Sequence, residues 1–170
     1  MELYNKLSAK QRAVLIEKAG GKRLTLSFYK YHQIKNTQLF RDHLYLKWNE
    51  IEVLGRIYIA NEGINAQLSL PSENFKSFEK SLEEIKFLAG VRLNIAIEHG
   101  NHSFLKLKVK LRNKIVADGL DTHKIDLKKT GKHLNAKQFN ELVESPETLL
   151  VDMRNHYESE IGHFKDAILP

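Results

Sequence analysis

The sequence predicts an α+β fold. Four segments are predicted as β-strands, at residues 23–31, 53–60, 64–70 and 91–98, and the first (RLTLSFYKY) alternates apolar and polar residues. Two segments with helical spacing of apolar residues, 36–50 and 72–88, separate the first strand from the second and the third from the fourth. The resulting β-α-β-β-α-β order is that of the ferredoxin-like plait, an antiparallel sheet with two helices on one face.

Capping residues and apolar spacing define the predicted helices. A helix over residues 2–19, or one broken near Ser8, precedes the first strand, and Gly20-Gly21 ends it. Asn36 or Thr37 is expected to cap the second helix and Ser72 the third, with Gly90 just beyond its end. The positions expected to face the core are Leu39, Phe40, His43, Leu44 and Trp48 in one helix and Phe75, Phe78, Leu82 and Ile85 in the other.

A tight antiparallel hairpin is predicted where Asn61-Glu62-Gly63 joins the second and third strands. Glycine has no Cβ, so Gly63 can adopt the positive φ that such turns require. Asn61, Glu62 and Asn65 are candidate RNA contacts around this turn. Asn and Gly are also common in tight turns without any function, so this alternative stays open.

Residues 104–119, FLKLKVKLRNKIVADG, are predicted as one further strand with an apolar face and a cationic face. The cations on alternate positions are Lys106, Lys108, Lys110, Arg112 and Lys114. Same-face neighbours on a strand lie about 6.6 Å apart, so these charges repel one another unless an anion lies across them. The alternative interpretation is a solvated edge strand whose lysines discourage aggregation.

The distribution of charge favours an anionic partner. The chain carries 27 Lys+Arg and 21 Asp+Glu, a net charge of +6. Residues 105–137 alone hold ten cations and three anions, a net of +7, so the remainder is close to neutral at −1. A localised excess of this kind is typical of a surface that binds nucleic acid.

Four parts are predicted along the chain: an N-terminal helical segment (1–22), an RNA-binding plait (23–119), a basic linker (120–134) and the start of an α/β domain (135–170). In the last part, Asn135 and Gln138 form a capping box for a short helix. Residues 149–154, LLVDMR, are predicted as an apolar strand with charges at its C-terminal end, as in parallel sheets.

Composition excludes several classes of site and location. The 170 residues contain no cysteine, so disulfides, thiolate chemistry and cysteine metal ligands are excluded for this chain. No apolar run approaches the roughly 20 residues that span a bilayer, and the N-terminus lacks the pattern of a secretory signal. We therefore expect a cytoplasmic protein with no membrane partner. The histidines match no metal-ligand spacing, so no metal and no cofactor are predicted.

Residues 149–170 resemble the opening of a rhodanese domain. That family begins with a strand ending in Asp-x-Arg, followed by an acidic helix and a Gly-His motif. The matching positions here are Asp152, Arg154, Glu158, Gly162 and His163. The resemblance implies that the family's catalytic cysteine loop would lie beyond residue 170, so this chain holds an incomplete rhodanese start.

The whole chain resembles the bacterial tRNA wobble-uridine hydroxylases, which join a ferredoxin-like domain to a rhodanese domain. The resemblance is carried by SFYKY (27–31), GRIYIANEGINAQLSLP (55–71), RLNIAI (92–97), KVKLRNKIVADG (108–119) and VDMRNHYESEIGHF (151–164). It implies formation of 5-hydroxyuridine at the anticodon wobble position of tRNA, with molecular oxygen as co-substrate. The family's essential cysteine is absent, so we expect this chain to bind tRNA without catalysing the reaction alone.

Two other functions stay open. One is a rhodanese-type sulfurtransferase in which the plait is an accessory domain, and the other is a non-catalytic nucleic-acid-binding module. The apolar strand at residues 149–153, which includes Leu149 and Met153, needs further polypeptide to bury it, because strands of parallel sheets are buried on both faces. The missing rhodanese remainder or another chain is expected to supply it.

Overall fold

The computed structural model describes residues 4–19, 22–97, 103–115 and 131–169. The chain divides into two compact units, Met1–Asp121 and Thr122–Pro170. Much of the predicted linker 120–134, which spans this division, lies outside the described residues.

The first unit contains a five-stranded sheet in the order β4-β1-β3-β2-β5. Its elements are α1 (Ala9–Ala19), β1 (Arg23–Tyr31), α2 (Thr37–Glu50), β2 (Leu54–Ala60), β3 (Gly63–Pro71), α3 (Phe75–Glu83), β4 (Asn94–Ile95) and β5 (Leu107–Leu111). The four strands β4, β1, β3 and β2 are antiparallel neighbours in the order of the ferredoxin-like plait, which confirms the predicted fold class. The strand β5 adds to the edge beside β2 in parallel orientation.

The hydrophobic core lies between one face of the sheet and the helices α2 and α3. Trp48 is fully buried and its ring packs edge-on against Phe28 of β1, with 6.3 Å between the centroids. The Trp48 indole N–H donates to Ser81 Oγ at 3.1 Å, so the polar atom of this ring is satisfied inside the core. The ring of Phe78 in α3 completes the aromatic group, and its centroid lies 5.4 Å from that of the Trp48 ring.

Side-chain hydrogen bonds cap the first two helices of this unit. The helix α1 begins after Ser8, whose hydroxyl accepts from the Gln11 N–H while the Gln11 side chain accepts from the Ser8 N–H. Asn36 caps α2 by accepting from the Leu39 N–H at 2.9 Å. The helix α1 therefore begins at the predicted break near Ser8 and not at Glu2, and α2 begins at the predicted residue.

Several predicted inward positions and element ends are wrong. Leu39 is 66% exposed and His43 is exposed, while Tyr45, which was not predicted, is buried instead. The third helix does not reach residue 88, because α3 ends at Glu83 and a series of turns places Leu88 in the core. Ser72 does not act as its N-cap, since its hydroxyl donates to the Lys22 carbonyl.

The last two strands are shorter than predicted. The strand β4 comprises only Asn94–Ile95, and Ile97 beyond it is fully exposed. The segment 104–119 is not one strand, because β5 covers only Leu107–Leu111 and residues 116–119 lie outside the described part. A strand at the sheet edge needs only as much length as its one neighbour can pair, and here β2 ends at Ala60.

The β2–β3 hairpin is present, with a tighter turn than predicted. Asn61 and Glu62 form a two-residue loop, and Gly63 is already the first residue of β3, paired with Ala60 and with Tyr31. Gly63 has a φ of +151°, and a Cβ there would lie 2.2 Å from the Lys30 carbonyl oxygen. Glycine is thus required both by its backbone conformation and by the close approach of β1.

The described part of the second unit, residues 131–169, has little regular structure. It contains α4 (Ala136–Val143) and α5 (His156–Ile161), each preceded by an Asn with a capping box. The predicted strand at residues 149–154 is reduced to a parallel bridge between Val151 and Ile168. Leu149 and Met153 are about four-fifths exposed, since no described element covers this segment.

Candidate nucleic-acid interface

The candidate site is the sheet face opposite α2 and α3, which we call the open face. Inward residues of each strand alternate with open-face residues, so the strand register decides which open-face side chains are neighbours. One row across the sheet joins Ser27, Gln67, Arg56 and Lys108. A second row joins Tyr29, Asn65, Tyr58 and Lys110. Adjacent members of a row lie on neighbouring strands, about 4.8 Å apart along the sheet.

The open face carries exposed cations on two adjacent strands. Lys108 and Lys110 of β5 are exposed, as is Arg56 of β2. Arg56 was not predicted, although it alternates with Ile57 and Ile59 in the same period-two pattern that identified the lysines. What the sequence could not supply is the parallel pairing of β2 with β5, which places Arg56 directly beside Lys108.

The remaining predicted cations flank β5. Lys106 and Arg112 continue the pairing with β2, because the Gly55 N–H donates to the Lys106 carbonyl and the Arg112 N–H donates to the Ile59 carbonyl. The Arg112 guanidinium lies 5.2 Å from the Tyr58 ring centroid, which is cation–π distance. Lys106 and Lys114 are half-buried, so the five cations are not equally presented.

The strands β2 and β3 pack closely at Gly55, next to the position where Arg56 pairs with Gln67. A Cβ on Gly55 would lie 2.4 Å from the Gln67 carbonyl oxygen and 2.7 Å from Leu68 Cα. Any larger residue at this position would separate the two strands. Gly55 therefore fixes the strand spacing on which the position of Arg56 beside Gln67 depends.

The three candidate residues of the hairpin bond to the protein itself. The Asn61 amide donates to the Ile34 carbonyl at 3.3 Å. Glu62 Oε1 accepts from the Ile115 N–H at 2.8 Å, and the Asn65 amide donates to the Ile115 carbonyl at 3.2 Å. These bonds hold the chain after β5 against the open face and bury Ile115. A direct RNA contact of Asn61, Glu62 or Asn65 stays a prediction.

The opposite end of the open face has a structural arginine that the sequence did not reveal. Arg23 is 6% exposed, and its guanidinium donates to the Glu52 carbonyl at 2.7 Å and to the Ser69 carbonyl at 2.9 Å. Burial lowers the pKa of Arg23, and the charge of Glu52 opposes this shift. Because its donors are used by backbone carbonyls, Arg23 joins the starts of β1 and β2.

The outer edge of β5, on the side away from β2, is occupied at Leu107 by the Asn5 side chain. The Asn5 amide donates to the Leu107 carbonyl at 2.9 Å, and its oxygen accepts from the Leu107 N–H at 3.0 Å. One side chain thus reproduces the two bonds that a sixth strand would make at this residue.

In the second unit, hydrogen bonds join Asp152, Arg154 and Gly162, three residues of the predicted rhodanese motif. Arg154 forms a two-pronged ion pair with Asp152, with distances of 2.6 to 3.1 Å, and also donates to the Gly162 carbonyl at 2.7 Å. Hydrogen bonds from Arg154 lower the pKa of Asp152 to about 2. His163 Nδ1 lies 3.0 Å from the Ser159 carbonyl at the end of α5. Glu158 completes the Asn155 capping box, so each of these contacts stabilises the local fold.

Within the described ranges, no group of three or more His, Cys, Asp or Glu residues could hold a metal ion. Nor does any helix among those residues have the length and apolar content to cross a membrane.

Comparison with known proteins identifies the family of the first unit. Residues 23–115 match the model of the UPF0176 acylphosphatase-like domain, which is more than half of the chain. The chain belongs to this family. The match begins at the first residue of β1 and ends at Ile115, so this family domain contains the whole sheet and the cationic edge strand.

Longer curated proteins are similar to the chain over nearly its whole length. A tRNA uridine(34) hydroxylase of Leptospira interrogans is 49% identical over 168 residues, covering 99% of this chain and 45% of that protein. A protein of the same name from Photorhabdus laumondii is 46% identical over 167 residues, covering 98% and 47%. The chain spans about half the length of the curated relatives it matches.

Proposed function

We propose that this UPF0176 domain chain is the tRNA-binding part of a tRNA wobble-uridine hydroxylase. The observation that carries the proposal is the open face, where Arg56, Lys108 and Lys110 are exposed on adjacent strands. The names of the relatives supply the substrate class, tRNA. In this proposal, the anticodon region lies across the open face and the product of the whole enzyme is 5-hydroxyuridine, formed with molecular oxygen.

Phosphates are the partners of the cations. Arg56, Lys108 and Lys110, together with Arg112 at the end of β5, form a continuous set of exposed positive charges. Lys106 and Lys114 lie at its two ends. Each phosphate that a cation neutralises releases a bound counterion, so binding weakens as salt concentration rises. Four such contacts predict a slope of log affinity against log salt of roughly −3 for single-stranded RNA.

The test measures this slope for a matched pair of double variants. Lys108→Gln with Lys110→Gln removes two charges from the open face, and the slope should become shallower by about 1.4. Lys76→Gln with Lys86→Gln removes two exposed charges from α3 and from the turns that follow it, and should leave the slope unchanged. Equal effects of the two pairs would mean that only net charge matters and that the open face has no special role.

Catalysis requires residues that these 170 positions do not include. A rhodanese-type site needs a low-pKa thiolate held by backbone N–H groups, and the sequence has no cysteine. We therefore expect the chain to bind hypomodified tRNA in air without forming 5-hydroxyuridine. Mass spectrometry of the digested tRNA checks this, and a stoichiometric yield of the nucleoside would refute a cysteine-dependent reaction.

The second unit is proposed to pack against further polypeptide. Leu149, Met153 and Ile161 are each at least 80% exposed, and Phe164 and Tyr157 are more than half exposed. An apolar surface of this kind is costly in water and marks an interaction site. The additional length of the relatives is the proposed cover, with the Asp152–Arg154 pair orienting a catalytic loop.

A further inference from the structure

Among the described residues, one aromatic ring of the open face is exposed, that of Tyr29. Tyr29 lies in β1, beyond the two residues that pair with β4, and its side chain is 56% exposed. The Tyr31 ring packs against it edge-on, with centroids 6.2 Å apart and planes at 76°. This contact limits the rotation of the Tyr29 ring, so the ring is held in place before any ligand arrives.

The second tyrosine of the same row is already covered. Tyr58 is half-buried, and the Arg112 guanidinium occupies a position over its ring. Asn65 lies between the two tyrosines in the register and is bonded to the Ile115 carbonyl. A planar ligand that approaches this row therefore finds the Tyr29 ring open and the Tyr58 ring occupied by a cation.

The surroundings of Tyr29 suit an unpaired nucleotide. Gln67 is exposed and is a diagonal cross-strand neighbour of Tyr29, about 7–8 Å away, and its amide both donates and accepts hydrogen bonds. Arg56 is next to Gln67 in the same row, and Lys108 follows. An aromatic ring, an amide and two cations thus follow one another across the sheet. Sheet surfaces of this composition bind unstacked bases of single-stranded RNA.

We propose that Tyr29 is the stacking platform for one unpaired base of a single-stranded RNA loop. Gln67 lies where it can bond the edge of that base, and Arg56 and Lys108 bind the neighbouring phosphates. The inference rests on the proposed function and adds to it a preference for loops over duplexes. A paired base has both faces covered by its neighbours and cannot stack on a side chain.

The test is a thermodynamic cycle between Tyr29 and the loop bases. The ligands are an RNA hairpin with a seven-nucleotide loop, the same hairpin with an abasic loop, and a fully paired duplex of equal charge. The proteins are the parent chain, Tyr29→Leu, Tyr29→Phe, and Tyr157→Leu as a control for an exposed tyrosine outside the sheet. Dissociation constants are measured by fluorescence anisotropy at several salt concentrations.

Removing the aromatic ring should weaken binding to the normal hairpin by on the order of tenfold, the usual effect of one lost base–aromatic stack. The abasic hairpin and the duplex should bind Tyr29→Leu and the parent equally, because neither offers a base to the ring. Tyr29→Phe and Tyr157→Leu should bind like the parent. The salt slope of Tyr29→Leu should be unchanged, since the ring carries no charge.

Other results would overturn the inference in identifiable ways. An equal loss for the hairpin and its abasic form would mean that Tyr29 does not stack on a base. A loss in Tyr29→Phe as large as that in Tyr29→Leu would assign the effect to the hydroxyl group. Equal affinity of the parent for polyglutamate and for the hairpin would identify a general polyanion site. A parent chain that binds no RNA would overturn the proposed function as well.

Discussion

Gly63→Ala is expected to destabilise the first unit strongly, because one methyl group meets two obstacles at this position. Gly63 has a φ of +151°, a region in which other residues are strained by about 1–3 kcal/mol. The new Cβ would also lie 2.2 Å from the Lys30 carbonyl oxygen and 3.0 Å from Tyr31 Cα. These are backbone atoms of β1, so the clash is relieved only by moving one central strand away from another.

The magnitude follows from separating these two contributions. Overpacking against atoms that cannot rotate away costs roughly 1–3 kcal/mol, so the total for Gly63→Ala is about 2–6 kcal/mol. Gly90 provides the matched control, with a φ of +66° and open space around its missing Cβ. Gly90→Ala should therefore show the backbone strain alone, about 1 kcal/mol.

Urea unfolding followed by Trp48 fluorescence measures both variants. Trp48 is the only tryptophan of the chain and is fully buried in the core of the first unit, so its emission reports that unit alone. The difference between the two free energies of unfolding reports the contact with Lys30 together with the difference in backbone strain between φ +151° and φ +66°. If Gly63→Ala and Gly90→Ala agree within about 0.5 kcal/mol, the close approach of β1 has no energetic weight and the reasoning is refuted.

Two further predictions concern single hydrogen-bonded groups. Ser81→Ala should lower the free energy of unfolding by about 1–3 kcal/mol in the same urea assay, because the buried Trp48 N–H loses its acceptor; a change below 0.5 kcal/mol would mean that the indole finds another partner. Asp152, whose pKa is lowered to about 2, should titrate near pH 2 in carboxyl NMR, and Arg154→Gln should return it toward 3.8. The folded pKa lies below the unfolded one, so the stabilisation by this pair is present above about pH 4 and is lost as the pH falls through 2. An unchanged midpoint in Arg154→Gln would refute this cause.

The parts of the fold that the sequence predicted well are those fixed by local chemistry. The bounds of β1 and the N-cap of α2 agree with the prediction, because alternation and an Asn cap act within a few residues. The extent of α3 was not predictable in this way. Burying Leu88 in the core and stacking Phe87 on His32 at 4.4 Å turns the chain after Glu83, and both contacts are long-range.

The candidate site was predicted only in part, for a related reason. Alternation identified the cations of β5 but could not indicate which strand would lie beside it. The parallel pairing with β2 adds Arg56 and Tyr58, and the β1–β3 pairing adds Tyr29 and Gln67. Hairpin partners are adjacent in sequence and can be inferred, whereas a parallel neighbour some fifty positions away cannot. The contact of the turn residue Glu62 was equally hidden in the sequence, because its carboxylate accepts a hydrogen bond from the distant Ile115 N–H.

The lysines of β5 also admit an explanation that involves no ligand, since natural sheets place lysine on edge strands to prevent pairing between molecules. Two observations weigh against this as a sufficient cause. The edge of β5 is already occupied at Leu107, where Asn5 makes both backbone hydrogen bonds that a neighbouring strand would make.

Arg56 lies in β2, between β3 and β5, where no edge needs protection, yet it is exposed and lies beside Lys108. Two cations placed side by side on adjacent strands repel each other, so protection of the edge would favour a neutral residue at position 56. The repulsion becomes an advantage only when an anion bridges the pair, and in the proposed function a phosphate of the bound RNA would be that anion.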